Sequence, residues 1–313
     1  MKNIVFLDKS TFPKTVKFPK FKFKNKFKGY GFTESSQVTS RIKNAHVIIT
    51  NKIKLSEIDL SKASSLELIA ITATGTNIID LEYCKKNNIL VCNLRDYAST
   101  AVAEHVFALI LNLVKKIKGL EKDISKYIWQ ERKVFALLSH EISELKGKTL
   151  GIIGKGSIGK KVAKIAKAFE MNILYLSVRE NKNNKLNNFL KKLDILTIHC
   201  PLTTSTINLI NLKELRLMKK TAVIINTARG GIINENDLVK AIKMKVISGA
   251  GIDVSTKEPP NKSHPYYSIL KYPNFIWTPH TAWASNETLQ VAINQLFNNI
   301  NSFYNGKSKN LVS

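Results

Sequence analysis

The sequence predicts an α/β fold built on a parallel sheet with helices on both faces. Short, almost continuously apolar strand candidates recur from residue 149 onward, and helical segments separate them. Strands buried on both faces lose the polar alternation of half-exposed strands, so this pattern is typical of a doubly wound parallel sheet. A glycine-rich turn, residues 154–159, joins the first of these strands to a helical pattern.

The glycine turn has the spacing G-x-G-x-x-G between a strand and a helix, and in that setting the motif binds a dinucleotide. Gly154 permits a tight turn, Gly156 lets the backbone approach a pyrophosphate, and Gly159 lets helix and strand pack closely. The N-terminus of the following helix then faces the phosphates. Ser157 and Ile158 are therefore predicted to offer backbone N–H groups to the pyrophosphate.

Strand and helix patterns also predict a smaller α/β region over residues 1 to about 97. Residues 18–27 partly alternate apolar and basic side chains, as in a half-exposed edge strand. A long apolar helix is predicted from about 101 to 120, with Ser99 or Thr100 as its cap. Further strands are predicted at 4–7, 45–50, 66–71, 89–92, 149–153, 172–177, 193–199, 222–226, 250–254 and 275–277, and further helices at 235–244 and 287–304.

Basic residues outnumber acidic ones by 49 to 23, and the formal net charge is +26. Such an excess is compatible with binding to nucleic acid or to anionic membranes. Six of the basic residues are arginines, however, and the lysines are spread along the whole chain, whereas bidentate contacts to phosphates and bases favour arginine. A solvated lysine surface is therefore favoured over a specific nucleic-acid or membrane partner.

The three cysteines, Cys84, Cys92 and Cys200, have no metal-ligand spacing and form no even disulfide framework. They are typical of a reducing compartment and predict no metal site. The apolar run after Met1 is too short for a signal peptide, and Asp8 interrupts it. A cytoplasmic protein without a membrane anchor is the expectation.

Four sequence blocks follow one another at residues 144–159, 199–203, 225–231, and 253–260 with 278–283. They are ELKGKTLGIIGKGSIG, HCPLT, INTARGG, and DVSTKEPP with TPHTAW. In this order they resemble the D-isomer-specific 2-hydroxyacid dehydrogenase family, and the resemblance covers almost the whole chain. Residues 73–77 and 96–100, with the Glu-Pro-Pro and Ala-Trp segments, are most similar to hydroxypyruvate reductases, also called glycerate dehydrogenases.

That resemblance implies a Rossmann cofactor domain, residues 99–285, inserted into a smaller flavodoxin-like α/β substrate domain, residues 1–98 plus 286–313. The active site would lie in the cleft between them. The cofactor would be NAD or NADP, and the substrate a small 2-keto acid or D-2-hydroxy acid, with hydroxypyruvate or glyoxylate favoured. Family members are usually homodimers, so a homodimer is expected.

Three residues in the matching motifs are predicted to carry the chemistry. Arg229 keeps its charge and can bind a carboxylate and a carbonyl oxygen through its fork of N–H donors. His280 would donate a proton to the carbonyl oxygen during reduction and accept it during oxidation. Glu258, bonded to His280, would favour the charged ring and orient it. The other histidines are expected to be structural: His46, His105, His140, His199 and His264.

The same resemblance implies the positions that surround the substrate and the cofactor. Thr74, Gly75 and Thr76 resemble the loop whose backbone N–H groups hold the substrate carboxylate. The cofactor would be lined by Thr100, Thr227 and Ala228 on the nicotinamide side, by Asp253 at the carboxamide, and by Cys200 and Pro201 beside the adenine.

The choice between NAD and NADP stays open on the sequence. A fold that prefers NAD normally ends its second strand with Asp or Glu, which bonds the ribose hydroxyls. About 18 residues past Gly159, the position is Ser177, followed by Val178 and Arg179, and no carboxylate occurs there until Glu180. Ser177 would not repel a 2′-phosphate, and Arg179 could pair with one, so both cofactors remain candidates.

Other functions compatible with the resemblance are a non-catalytic NAD(H)-sensing corepressor or scaffold, and a dehydrogenase acting on D-lactate, 3-phosphoglycerate or a phosphonate. The complete set of Arg229, Glu258 and His280 favours an enzyme. The sequence contains no evident DNA-binding appendage or peptide-docking groove that would favour the scaffold.

Overall fold

The structure, a computed structural model, describes residues 1–178 and 185–312. Contacts between residues divide the chain into two compact units. The first unit consists of Met1–Ala98 together with Ala284–Ser313, and the second is the continuous stretch Ser99–Trp283. Each unit contains its own parallel sheet.

Strands and helices alternate along both units. The strands are β1 (Lys2–Phe6), β2 (Asn25–Gly29), β3 (Val47–Thr50), β4 (Leu68–Ile71), β5 (Leu90–Cys92), β6 (Thr149–Ile153), β7 (Asn172–Leu176), β8 (Ile195–Ile198), β9 (Val223–Asn226), β10 (Gly249–Ile252) and β11 (Phe275–Trp277). The α-helices are α1 (Val38–Ile42), α2 (Glu57–Leu60), α3 (Leu81–Lys86), α4 (Ser99–Val114), α5 (Ile117–Ser125), α6 (Ile128–Arg132), α7 (Ser157–Ala168), α8 (Lys185–Leu190), α9 (Leu212–Leu215), α10 (Glu235–Lys243) and α11 (Asn286–Tyr304). None of the described helices has the length and apolar character needed to cross a membrane.

The first unit is organised around a five-stranded parallel sheet in the order β2-β1-β3-β4-β5. Ile48, Ile69 and Val91, from three adjacent strands, belong to one buried apolar cluster on this sheet. The unit also contains α11, whose Leu296 and Phe297 are buried. The carboxyl ends of β3, β4 and β5 therefore lie side by side and present their following loops at one edge of the sheet.

The edge strand predicted over residues 18–27 is wrong for most of its length. Only the later segment β2 joins the sheet, where it pairs with β1 on the outer edge. Phe18 and Phe21 instead pack on Phe297 of α11, with ring centroids 6.1 and 4.3 Å apart. Aromatic packing of a loop, rather than the period of a strand, accounts for the alternation of phenylalanine and lysine.

The second unit contains a six-stranded parallel sheet in the order β11-β10-β9-β8-β6-β7. The chain moves from β6 outward to β7 and then returns to β8 on the other side of β6, so the winding reverses there. This topology confirms the predicted doubly wound α/β class. Sheets of this kind bind ligands beyond the carboxyl ends of their strands at the reversal, and the glycine turn follows β6 at that point.

The single long helix predicted from about 101 to 120 is two helices in the structure. Lys116, between α4 and α5, has a left-handed conformation with φ of 59°. Lys118 anchors the start of α5, because its Nζ donates to three backbone carbonyls within residues 270–275 at 2.8 to 3.2 Å. An apolar pattern cannot reveal this break, since both helices continue to present apolar side chains.

Candidate active site

The glycine turn is built by close backbone contacts. Gly154 has φ of +103°, and a Cβ placed on it would lie 2.6 Å from the carbonyl oxygen of His199. A Cβ on Gly159 would lie 2.1 Å from the carbonyl oxygen of Gly154. A Cβ on Gly156, in contrast, would meet no atom of the described residues within 4 Å. Two of the glycines are therefore required by packing, and the third has no such requirement.

Helix α7 begins directly after Gly156. No side chain caps its N-terminus at Gly156. The first N–H groups of an α-helix have no partner within the helix, and the helix dipole makes this end positive. An uncapped helix start beside Gly156 fits the pyrophosphate of a dinucleotide, for which Ser157 and Ile158 are the predicted donors.

Arg229 lies on a short turn that follows β9, and Asn226 shapes this turn. The Oδ1 of Asn226 accepts the N–H of Ala228 at 3.0 Å, and its Nδ2 donates to the carbonyl of Arg229 at 2.9 Å. The side chain of Arg229 is exposed, and its Nη1 donates to the carbonyl of Ala228. A Cβ on Gly230 would lie 2.0 Å from the carbonyl carbon of Ser255, so the turn packs directly against the backbone after β10.

Glu258 and His280 are in short hydrogen-bond contact. The Nδ1 of His280 lies 2.6 Å from the Oε2 of Glu258, and the two side chains are 22% and 32% exposed. The other carboxylate oxygen, Oε1, accepts the backbone N–H of Ser255 at 3.0 Å. With Nδ1 bonded to Glu258, Nε2 is the ring nitrogen that can exchange a proton with a ligand.

Asp253, directly after β10, organises the segment that carries His280. Its side chain is fully buried, and its carboxylate accepts the hydroxyl of Thr278 and the N–H groups of Thr281 and Ala282. Its backbone carbonyl accepts the N–H of His280 at 2.8 Å. His280 itself has φ of 55°, a left-handed conformation that a non-glycine residue adopts only when surrounding bonds stabilise it.

Sequence reasoning missed two residues of this region, His105 and Asn226. The Nε2 of His105, on α4, lies 3.0 Å from the hydroxyl oxygen of Thr278 and 3.7 Å from Oδ1 of Asp253. No sequence motif indicates this contact, because α4 and the turn after β11 are far apart in the chain. Asn226 could have been found, since an Asn at a strand end before a short turn is a known turn former.

Glu235, at the start of α10, contacts the Glu258 loop on both sides of Glu258. Its carboxylate accepts the N–H and the hydroxyl of Thr256 at 2.7 and 2.8 Å, and its Oε2 lies 3.0 Å from Nε2 of His264. The side chains of His264 and Glu235 are 6% and 10% exposed. Glu235 therefore holds the loop at Thr256, two residues before Glu258, and at His264, six residues after it. His264 has a structural role in this contact.

The strand ends beside the glycine turn present the remaining cofactor positions in this unit. The hydroxyl of Thr227 is buried and has no hydrogen-bond partner in the part of the chain that the structure describes, and Ala228 beside it is half-buried. Cys200 is buried, and burial raises the pKa of its thiol to about 11, so it is not a thiolate nucleophile at neutral pH. Burial also lowers the pKa of His199 to about 3, so that ring stays neutral. Pro201 is exposed.

Of the three further predicted positions, Thr100 is exposed, Ser177 is half-buried and one lies outside the described residues. Thr100 is in the first turn of α4, and Ser177 follows β7 directly and is half-buried. Arg179 falls in the segment between residues 178 and 185, which the structure does not describe. Among the described residues, no cluster of His, Cys, Asp or Glu side chains is arranged to hold a metal ion.

The predicted substrate loop belongs to the first unit, where it follows β4. Thr74 is exposed, while Gly75 and Thr76 are half-buried. The Nδ2 of Asn93, just after β5, donates to the carbonyl of Thr74 at 2.7 Å. At the same edge of the sheet, Thr72 is buried with an unpartnered hydroxyl. The carbonyl of Thr76 accepts the N–H of Ile79 at 3.0 Å, so the loop is also held at its far end.

Fold and site together define a dinucleotide-binding α/β oxidoreductase. Residues 107–282 match the sequence profile of the D-isomer specific 2-hydroxyacid dehydrogenase family, NAD binding domain. The chain belongs to this family, as the four motif blocks indicate, and it is a D-2-hydroxyacid dehydrogenase that uses NAD or NADP.

Relatives cover nearly the whole chain. A glycerate dehydrogenase of Methylorubrum extorquens is 37% identical over 99% of both chains, and a hydroxypyruvate reductase of Blautia hydrogenotrophica is 30% identical over 90% of this chain and 89% of the relative. A D-lactate dehydrogenase from Aquifex aeolicus, solved with NAD and lactic acid, has a TM-score of 0.80 at 29% identity and covers 97% of this chain and 96% of its own. An acyclic imino acid reductase, Bsp5, solved with NADPH and D-Arg, has a TM-score of 0.84 at 28% identity and covers 99% and 100%.

The two kinds of glycine in the turn predict opposite phenotypes. Gly159→Ala places a methyl group against backbone, so it should lower the free energy of unfolding by about 1–3 kcal/mol. Gly156→Ala places its methyl group in open space, so it should leave the melting temperature unchanged and weaken NADH and NADPH binding by blocking the phosphates. Thermal denaturation and fluorescence titration check both results. Wild-type cofactor affinity in Gly156→Ala would contradict the placement of the pyrophosphate.

Proposed function

We propose that the protein reduces hydroxypyruvate, and glyoxylate as a smaller analogue, to D-glycerate and glycolate. The pair of His280 with Glu258 carries this proposal, because its 2.6 Å contact aligns one ring nitrogen and leaves the other for proton transfer. The likeness to a glycerate dehydrogenase and to a hydroxypyruvate reductase favours a three-carbon hydroxy-keto acid over lactate or phosphoglycerate.

His280 is proposed to supply the proton of the reaction. The nicotinamide cofactor, when bound, supplies a hydride to the carbonyl carbon of the 2-keto acid. His280 donates the proton on Nε2 to the carbonyl oxygen, which becomes the 2-hydroxyl group of the product. Glu258 keeps Nδ1 protonated and stabilises the imidazolium before transfer. In the reverse direction the neutral ring removes the hydroxyl proton.

Arg229 is proposed to bind the substrate. Its guanidinium is exposed and permanently charged, and the Asn226 turn fixes the backbone from which it extends. A planar fork of N–H donors can bind a carboxylate oxygen and the carbonyl oxygen together, which polarises the carbonyl toward hydride attack. Thr74, Gly75 and Thr76 are proposed to add backbone N–H donors to the substrate carboxylate.

The cofactor-binding assignments are part of the same proposal. The fit of the second unit rests on the uncapped start of α7 and on the unpartnered hydroxyl of Thr227, which offers a bond to a ligand. The Oδ2 of Asp253 accepts the N–H of Ala282, and a carboxylate oxygen can accept a second hydrogen bond. A bond from the carboxamide of the nicotinamide is therefore compatible with the three bonds that the carboxylate already accepts. The proposed contacts are Thr100, Gly154, Gly156, Ser157, Ile158, Gly159, Ser177, Cys200, Pro201, Thr227, Ala228 and Asp253.

A cytoplasmic location remains a prediction. Cys84, Cys92 and Cys200 are all free and buried, which is the state of cysteines in proteins of a reducing compartment. Fractionation of the producing cells would check it.

The proposed function predicts a specific loss in His280→Asn. Without a proton donor, turnover of hydroxypyruvate should fall by about three to five orders of magnitude, while cofactor binding is retained. A panel of 2-keto acids with NADH and NADPH measures kcat and KM, and titration of cofactor fluorescence measures binding.

The same assays test the role of Arg229. Arg229→Lys keeps the charge without the fork of N–H donors, so it should mainly raise KM. Full activity in His280→Asn would refute its role, and cofactor binding without turnover of any 2-keto acid by the wild type would favour the sensing scaffold.

An exposed apolar segment in the second unit supports a homodimer. Phe135 is 98% exposed and Leu138 is 83% exposed, and Tyr127 of the same segment is 68% exposed. Scattered exposed apolar residues are ordinary, but several within one short segment are typical of a surface that is buried in an assembly. A second copy of the chain is the proposed occupant, since members of the resembled family are usually homodimers.

Disrupting this segment should separate the protomers. The double variant Phe135→Ser with Leu138→Ser removes apolar area without touching the core, so light scattering after gel filtration should report a monomer of about half the wild-type mass. Phe32→Ser is the matched control, because Phe32 is also strongly exposed, at 67%, but lies in the first unit. A dimer that persists in the double variant, or a wild-type monomer, would exclude this interface.

A further inference from the structure

Ser177 and Val178, the two described residues after β7, do not carry the negative charge that an NAD-preferring sheet usually has at this point. Ser177 directly follows the last residue of this strand, and Val178 comes next. An aspartate or glutamate at this point bonds the ribose hydroxyls of NAD and repels the 2′-phosphate that distinguishes NADP. The hydroxyl of Ser177 can still bond a ribose hydroxyl, and it has no charge that would repel a 2′-phosphate.

A lysine from the glycine turn lies over the same strand. The Nζ of Lys155 is 5.2 Å from the centroid of the Tyr175 ring, and Tyr175 is two residues before Ser177 on β7. Strands β6 and β7 are neighbours, with Ile152 paired to Tyr175, so the turn after β6 reaches this strand directly. A cation within about 6 Å of an aromatic face is attracted to it, so Tyr175 directs the Lys155 side chain toward β7.

The ring that holds Lys155 is uncharged. Burial raises the pKa of the Tyr175 hydroxyl, so the phenol stays neutral at physiological pH and does not neutralise the ammonium group. Lys155 is exposed, and among the described residues no carboxylate lies within ion-pair distance of it. Lys155 therefore presents its charge beside β7 without an ion pair to any described carboxylate.

We propose that Lys155, held on Tyr175, together with Ser177 forms a binding site for the 2′-phosphate of NADP(H), and that the protein prefers NADP(H) over NAD(H). This rests on the proposed placement of the dinucleotide at the glycine turn. The ammonium group supplies a point charge to the 2′-phosphate, and the Ser177 hydroxyl donates one hydrogen bond. Lys155 is thereby a specificity residue for the cofactor and takes no part in the transfer of hydride or proton.

Ligand fragments test this site without any turnover. Isothermal titration calorimetry compares 2′,5′-ADP with 5′-AMP, and fluorescence titration compares NADPH with NADH, all in the absence of a 2-keto acid. The wild type should bind 2′,5′-ADP at least about tenfold more tightly than 5′-AMP, since a charge-assisted contact is worth about that factor or more. In Lys155→Ala this preference should disappear, with 5′-AMP affinity changed less than about threefold.

Two further variants separate the site from general electrostatics. Lys164→Ala removes an exposed lysine from helix α7, which follows the glycine turn; Lys164 lies about two turns from the start of the helix, and the variant should leave the preference intact. Ser177→Asp restores the carboxylate of an NAD-preferring strand, so it should weaken NADPH binding by about a hundredfold and leave NADH binding unchanged or tighter. Thermal melting checks that each variant is folded.

Three outcomes would overturn the proposal. One is equal affinity of the wild type for 2′,5′-ADP and 5′-AMP. Another is an equal loss of NADH and NADPH binding in Lys155→Ala, which would place Lys155 at the pyrophosphate. The last is an equal loss of preference in Lys164→Ala, which would indicate a general field effect. Failure of the proposed substrate assignment appears differently, as the absence of 2-keto acid reduction with the 2′,5′-ADP preference intact.

Discussion

The buried carboxylate of Asp253 is the constraint on which the arrangement of the second unit's site depends. A buried charge is costly unless hydrogen bonds satisfy it, and here Thr278, Thr281 and Ala282 all donate to it. Those donors come from the segment on either side of His280. The bonds therefore offset the cost of about 1–2 kcal/mol that a left-handed conformation carries for a non-glycine residue. His105 extends the same network to α4, which packs against β10 and β11.

Close contacts between backbones bring the remaining parts of the site together. Gly154 packs against His199, and Gly230 packs against Ser255, so each turn after a strand touches the turn after another strand. The first contact places the glycine turn beside His199 and Cys200. The second places the Arg229 turn against the loop that begins at Ser255 and carries Glu258. A larger side chain in place of Gly154 or Gly230 would push these turns apart, beyond hydrogen-bond distance.

The sequence predicts the fold class and the principal site motifs because both depend on local patterns. Near-continuous apolar strands indicate a buried parallel sheet. The G-x-G-x-x-G spacing can be recognised from about 15 residues of chain, because it needs only the adjacent strand and helix. The contact of His105 with Thr278 joins residues that are 173 positions apart, and no local pattern encodes it. The break at Lys116 depends on carbonyls near residue 272, and the Phe18–Phe297 contact depends on α11, so both escaped prediction for the same reason. The role of Arg179 stays a prediction.

The continuity of the second unit has a consequence for how such a protein can diversify. Residues 99–283 form one uninterrupted stretch, while the first unit is completed only when α11 joins residues 1–98. The proposed acid His280, its partner Glu258 and the glycine turn are thus encoded by one continuous stretch of the gene. The loop after β4 is encoded by a separate stretch, where changes can accumulate independently. New substrates can therefore be acquired by exchange or drift of the outer segments, without disturbing the geometry of proton transfer.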